Sequence, residues 1–501
     1  MPPGFSGADF FYLLPEIVLT GGALLVLLLE IFLPRGWKGA LPWVTLGVLA
    51  ATGFALLPGA GQNLTIAKGL LAVDGFGFFF KVLFLLSASI TVLMSVRYLE
   101  IERASAGEYY FLILCATLGM MFMAAGIDLI TLFIGLETMA VSFYILVGYL
   151  RPSRRSNEAA VKYFVLGTFS LAILLYGMSL LYGLTGTTHL RGIATALLAA
   201  ETGLLLPFAV IMLVAGLGFK IAAVPFHMWA PDVYEGAPTP ITAFISVGSK
   251  AASLAMLLRI FVEGLPAFRL DGLGVAWGTP FGWAAFFYVL AIVTMTVGNL
   301  AALTQSNTKR MLAYSSIAHA GYLLIGIVAG TTRGVTAALL YLMVYALMQF
   351  GAFAVVVMLR RKEVIGDELK DLTGLYASHP GAAIAMLIFM LSLGGIPPTA
   401  GFIGKLWIFG AAMDAGYIWL AVIGVLNSAL SLYYYVRVVV YMWISEPDPD
   451  TSRFTVSPAL AAVLVVAAIG SIAFGVYPRM LFEFAEASAA TLGVVPHLGL
   501  R

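Results

Sequence analysis

The chain is predicted to be an all-α polytopic membrane protein with about fourteen transmembrane helices, and three observations predict it. Hydrophobic residues make up 61% of the 501 positions and charged residues only 10%, whereas soluble chains carry roughly 25% charged residues. The apolar residues fall into repeated runs of about 20, the length that crosses a hydrocarbon layer at roughly 1.5 Å per helical residue. Glu137, Lys220, Lys250 and Lys405 stand inside such runs. An ionisable group at the centre of a membrane helix costs about 2.5–3.5 kcal/mol on insertion scales, so such groups usually face the protein interior and mark ion or proton pathways.

In chain order, hydropathy marks spans near 10–33, 41–58, 71–96, 108–126, 128–150, 160–183, 204–229, 239–263, 283–304, 311–330, 335–359, 382–412, 417–443 and 456–478. The second is short and flanked by Gly and Pro. No loop is long enough for a separate soluble domain. The start, MPPGFSGADFFYLLPE, has no basic region before its first apolar run, so no cleaved signal peptide is expected. Counting loops from an outside N-terminus puts fifteen basic residues on one side, among them Arg35, Lys38, Arg97, Arg103, Arg154, Lys162, Arg310, Arg360, Arg361, Lys362 and Arg453. Six fall on the other: Lys68, Arg191, Arg269, Arg333, Arg479 and Arg501. The richer side is cytoplasmic by the positive-inside rule, which leaves both termini outside.

The spans also divide. Residues 1–107 form an N-terminal three-helix segment, 108–263 and 264–443 two five-helix blocks, and 444–501 a C-terminal helix and tail. Adjacent copies of an odd-numbered unit have opposite topology, the inverted-repeat arrangement of many transporters. The fourth span of each block is interrupted by proline, Pro225 in one and Pro397–Pro398 in the other, and each carries a lysine, Lys220 and Lys405. Proline removes a backbone donor and breaks the helix. Broken spans at matching positions point to a transport site.

Depth follows from helical rise. Glu137 lies roughly 13 Å and Lys250 roughly 16 Å into their spans, and Lys220 and Lys405 fall in the same middle layer. His319 is roughly 12 Å from the cytoplasmic side, while Lys162 and His227 lie nearer that surface. Burial disfavours a charged lysine and a nearby carboxylate favours it, so moving one charge switches the next group; histidine serves as an intermediate carrier. The expected relay is a Glu137–Lys220 pair feeding a Lys250–His319–Lys405 row, with Lys162 and His227 in support. The competing reading of the four midplane charges is a structural ion pair, but three lysines face one obvious carboxylate. His319 could be an ordinary hydrogen-bonded interior histidine, and Lys162 a snorkelling one. Lys81 and Arg437 read as snorkelling or packing residues at span ends, and the FGFFF and LYYYV clusters as lipid-facing or interfacial anchors.

Other chemistries lack support. A net charge of +2 with scattered charges gives no nucleic-acid surface. The single cysteine, Cys115, lies in a span, so neither a disulfide framework nor a cysteine-ligated cluster is expected. There is no HExxH, CxxC or P-loop pattern, and the five histidines are scattered, so no metal or nucleotide site is expected.

The segments LFIGLETMAVSFYILVGY, GFKIAAVPFHMWAPDVYEGAPTPITAFISVGSKAA, KRMLAYSSIAHAGYLLIG and GIPPTAGFIGKLWIF closely resemble the antiporter-like membrane subunits of respiratory complex I. The resemblance runs over essentially the whole chain and is strongest from 108 to 443. Within that family, the subunit M group carries Glu where this chain has Lys405, and the subunit L group continues into a long lateral helix after its last span. The resemblance implies that Glu137 and Lys220 pair in the first half, that Lys250 connects the halves, and that Lys405 lies near the exit, with Lys162 and His319 in support. It further implies proton translocation in a bacterial inner membrane, driven by quinone reduction elsewhere. NAD, FMN, iron–sulfur clusters and quinone would then belong to partner subunits, and the chain's own partners would be other membrane subunits and the lipid bilayer. Two alternatives stand beside it: a subunit of a multisubunit Na+/H+ antiporter, and a structural membrane subunit whose lysines only organise assembly.

Overall fold

Apolar sequence of this length has no way to satisfy its backbone in a bilayer except by closing every hydrogen bond within a helix, and helices are what the chain forms. The computed structural model describes residues 7–199, 203–269, 282–360, 366–445 and 455–493; Arg361, Lys362, Arg453 and Arg501 lie outside them. The principal helices are α1 (Leu14–Phe32), α2 (Leu41–Leu56), α3 (Gly75–Glu102), α4 (Gly107–Ala125), α5 (Leu129–Val147), α6 (Arg154–Thr185), α7 (Leu205–Lys220), α8 (Trp229–Gly236), α9 (Thr239–Gly264), α10 (Trp283–Leu303), α11 (Thr308–Ala329), α12 (Thr332–Leu359), α13 (Pro380–Gly394), α14 (Ala400–Asp414), α15 (Ile418–Trp443), α16 (Pro458–Val476) and α17 (Arg479–Ala489). A short antiparallel hairpin, Leu64–Ile66 with Leu71–Val73, lies between α2 and α3.

Among the described residues, twelve helices are long and apolar enough to span a membrane, and α7 and α13 are shorter apolar helices. Each of these two is followed by a second helix across a break, so the two interrupted spans are α7–α8 and α13–α14. The second span, short in sequence, is long and apolar enough to cross a membrane within Gly36–Gly59. Hydroxyls along the spans bond back to the turn before, as Thr45 does to Leu41, Thr91 to Ser87 and Thr117 to Ile113, each at 2.8 Å. Such residues therefore need no polar neighbour.

Three helices form the centre. In α9 every residue from Thr239 to Val262 is buried, and α11 and α12 are buried along nearly their whole length. The α4–α5 pair surrounds them with a close crossing: a Cβ on Gly119 would stand 2.5 Å from Met139 N. The α10–α11 pair does the same, with a Cβ on Gly321 falling 2.7 Å from Met295 N. Small residues permit this approach where lipid supplies no hydrophobic drive. By contrast, α1, α6, α15 and α16 leave long rows of Leu, Val, Ile and Phe exposed, which suits a lipid-facing shell.

Polar contacts at the helix ends reproduce the predicted alternation of sides. Arg360 pairs with Glu102 at 2.5 Å, and Lys162 and Arg310 both reach Asp232 at 2.7 Å, all on the side counted as basic-rich. Arg333 pairs with Asp414 at 2.5 Å, and Asp128 accepts from Thr188 at 2.5 Å, on the other.

Several expectations need correction. Lys81 is not at a span end; it is buried in α3 and pairs with buried Glu16 of α1 at 2.6 Å. Arg437, by contrast, does pack: it donates to the carbonyls of Leu303 and Gln305, closing the end of α10. Phe76, Phe79 and Phe80 of the FGFFF cluster are core residues, and in LYYYV Tyr433 and Val436 are outward while Tyr434 and Tyr435 are fully enclosed. Helical spacing alone gives no sign of which face a neighbour covers when every face is apolar.

Candidate functional site

The breaks come first, because they place two of the lysines. Helix α7 stops at Lys220, and the chain turns through Ala222 at φ 57°, a conformation unusual for a residue with a side chain. Helix α13 stops at Gly394, with Gly395 at φ 84°. A Cβ at Gly395 would stand 2.8 Å from Lys405 Cδ, so the glycine serves both the turn and the passage of the lysine. Lys405 reaches back from α14 to donate to the carbonyls of Leu393 and Gly394, at 2.8 and 3.0 Å, and to Ser428 Oγ at 2.8 Å. Both lysines therefore sit at the C-terminal end of a half-helix, where the partial negative charge of unpaired carbonyls favours an ammonium.

Lys220 is 1% exposed. Its Nζ donates to the Tyr144 hydroxyl at 3.4 Å and lies 5.5 Å from that ring's centre. Glu137 lies seven residues, about two helical turns, before Tyr144 on α5 and is the charged group acting on Lys220 through space. The two do not form a close ion pair, and Glu137 Oε1 is buried without a hydrogen-bond partner. The expected pair is thus a triad in which Tyr144 stands beside the amine.

Lys250, 3% exposed, follows a π-helical turn, Ile245–Ser249, a distortion frequent at functional sites. Its Nζ donates to Ser316 Oγ at 2.6 Å and Ser316 O at 2.7 Å. Tyr345 donates to the same Oγ at 2.8 Å, and Tyr234 lies 3.3 Å from it. One turn further along α11 is His319. Its Nδ1 is 2.5 Å from Tyr341 OH and its Nε2 3.1 Å from Tyr435 OH, which is in turn 2.5 Å from Ser315 Oγ. Tyr345, bonded to the Ser316 hydroxyl, lies 5.1 Å from the His319 ring. Lys405 Nζ lies 5.1 Å from the ring centre of Tyr322, which itself packs on His319 at 5.6 Å.

The structure therefore joins Lys250, His319 and Lys405 in one buried layer, and Glu137 with Lys220 in another cluster. Among the described residues no hydrogen bond links Lys220 to Lys250. An aromatic wall lies between: Tyr144 packs on Tyr163 at 4.8 Å, Tyr163 stacks on Trp229 at 4.6 Å, and Trp229 meets Tyr234 at 6.4 Å. Tyr234 belongs to the Ser316 cluster.

The two supporting residues stand apart. Lys162 is at the helix-end surface, paired with Glu158 at 2.8 Å and Asp232 at 2.7 Å. Asp232 lies on α8 and also accepts from Arg310 at 2.7 Å. His227 is half-buried in the unwound stretch between α7 and α8. Sequence reasoning missed the hydroxyls, Tyr144, Ser316, Tyr341 and Tyr435. The available signal was Ser-Ser-Ile-Ala-His within one span, polar residues at one-turn spacing beside a histidine.

Comparison with known proteins gives the family. The family described as NADH:quinone oxidoreductase/Mrp antiporter, transmembrane, matches residues 125–431. NADH-quinone oxidoreductase subunit N of Trichlorobacter lovleyi is 46% identical over 484 residues, 96% of this chain and 97% of that one. A chain of respiratory complex I from Thermus thermophilus superposes with a TM-score of 0.78 at 34% identity, covering 94% and 98% of the two chains. A chain of the Mrp complex from a Dietzia species shares the fold, with a TM-score of 0.80 at 22% identity over 95% and 97%. The chain is a member of the NADH:quinone oxidoreductase/Mrp antiporter transmembrane family, and within it belongs with the antiporter-like NADH-quinone oxidoreductase subunits N.

Proposed function

We propose that the chain is a proton-translocating subunit of a bacterial inner-membrane NADH-quinone oxidoreductase, moving protons from the cytoplasm to the outside. Quinone reduction in other subunits drives the transfer, and NAD, FMN, iron–sulfur clusters and quinone are held there. Glu137 and Lys220 receive the driving change in charge, Lys250 carries it through Ser316 to His319, and Lys405 releases the proton on the outer side of the second break. Lys162 and His227 serve the cytoplasmic approach. The two five-helix blocks, 108–263 and 264–443, act as inverted halves around this layer. Support for that division comes from the matched breaks and from the glycine crossings that open each block.

The observation that carries the reading is the buried row itself. Lys250 and His319 lie on enclosed helices among hydroxyls, Lys405 is buried on α14 over the Tyr322 ring that packs on His319, and among the described residues none has a carboxylate within ion-pair distance. A structural salt bridge has two signs; this row has one. An amine without a fixed counter-charge can take up and return a proton as its neighbours change charge. The likeness to the Dietzia chain concerns the fold, and full-length similarity to subunits N favours the oxidoreductase over the Na+/H+ antiporter.

The test is Lys250→Met in inverted membrane vesicles, with NADH-driven acidification followed alongside assembly. Loss of acidification in assembled complex is expected, together with co-purification of flavin and iron–sulfur subunits with the wild-type chain. Wild-type acidification would refute the row, and a Na+ requirement would favour the antiporter.

A further inference from the structure

Away from the lysine layer, the basic-rich ends of α3, α12 and α16 enclose a cleft of about 450 Å³. Among the described residues its lining carries three arginines, Arg97, Arg103 and Arg360, against a single carboxylate, Glu100. Arg97 pairs with Glu100 at 2.7 Å, and the Nε of Arg360 donates to Glu102 at the side of the cleft. Arg103 is exposed and ends α3 in a left-handed turn at φ 52°, which points its backbone out of the helix just where the cleft begins. The opposite wall is the first turn of α16, where Ser457 is the N-cap and Thr455 precedes it. A helix start of 19 residues adds partial positive charge to the same space. The remaining wall is apolar, with Ile101, Met358 and Leu460.

We infer that this cleft binds the phosphodiester headgroup of an anionic phospholipid. The depth fits, because Glu102, Leu359 and Pro458 are terminal residues of spans, and helix ends lie at the level of the headgroups. The chemistry fits as well. Arginine presents a planar fork of donors to a phosphate, and basic pockets between transmembrane helices on the cytoplasmic side hold anionic headgroups. A soluble anion would need the arginines alone. The apolar wall of Ile101, Met358 and Leu460 is what an amphiphile needs in addition. The bound lipid would tie α16 to the ends of α3 and α12.

The experiment uses full-length protein, purified in detergent and stripped of lipid. Phosphatidylglycerol, phosphatidylcholine of the same chain length and inorganic phosphate are added separately, and bound molecules are counted by native mass spectrometry. Preferential retention of phosphatidylglycerol is expected. Arg103→Gln and Arg360→Gln should each weaken it about fivefold, and together about twentyfold. Because Arg360→Gln also strands Glu102, the exposed Arg103→Gln and the uncharged cleft-filling Thr455→Trp keep the test independent of folding; both should lose the lipid with circular dichroism unchanged. Equal retention of the two lipids, indifference to Arg103→Gln, or displacement of phosphatidylglycerol by an equal concentration of inorganic phosphate would overturn the inference.

Discussion

Lys250 donates to both the hydroxyl and the carbonyl oxygen of Ser316, at 2.6 and 2.7 Å, from one fully enclosed helix to another. The same hydroxyl is met by Tyr345 and faces Tyr234, so a single serine connects the lysine to Tyr345, whose ring lies 5.1 Å from that of His319. Ser316→Ala removes that junction while leaving the backbone contact. Assembly should survive, since losing one hydroxyl costs about 1–3 kcal/mol of stability, and NADH-driven acidification should fall severalfold relative to NADH oxidation. An unchanged ratio of the two would show that the serine only packs.

The first cluster makes a different demand. Lys220→Ala and Glu137→Ala each remove a charge from the triad with Tyr144, and each should strongly reduce acidification in complex that still assembles, since intramembrane charges mark transport pathways. Tyr144→Phe should reduce it less, because the aromatic contact to the lysine remains. Equal loss in all three would mean the hydroxyl is essential, and no loss in the first two would remove the cluster from the pathway.

Lys405 separates a proton carrier from a fixed charge. Lys405→Arg keeps the cation, which stays protonated because its pKa exceeds about 12, and can still reach the carbonyls of Leu393 and Gly394. It should nonetheless impair acidification. Lys405→Glu should retain more activity than Lys405→Leu, because a carboxyl still binds a proton. Arginine working as well as lysine would make the contact to the half-helix end a structural one.

Sidedness is measurable directly. With Cys115 replaced by Ser, single cysteines placed beside Arg154 and beside Arg333 should react with an impermeant maleimide from opposite faces of sealed vesicles. The first should label from the cytoplasmic face. Reaction of both from one face would break the count of spans between them.

The sequence by itself determined the helical membrane class, the positions of the spans and their two breaks, and the identity of the charges inside them. These follow from composition along a line: an apolar run of sufficient length must be a helix in lipid, and a proline within it must interrupt it. Glu137, Lys220, Lys250, His319 and Lys405 were legible for the same reason, since a charge is conspicuous in an apolar run. What only the tertiary structure decided was adjacency. Ser316, Tyr345 and Tyr435 come from three helices, and nothing in a span that is apolar all round tells which face meets which neighbour. For that reason the Glu16–Lys81 pair read as a span-end lysine, the FGFFF core as a lipid anchor, and Glu137 with Lys220 as an ion pair. Hydroxyls are silent in sequence because each can satisfy itself against its own helix; they become part of a pathway only when packing brings them to a lysine or a histidine.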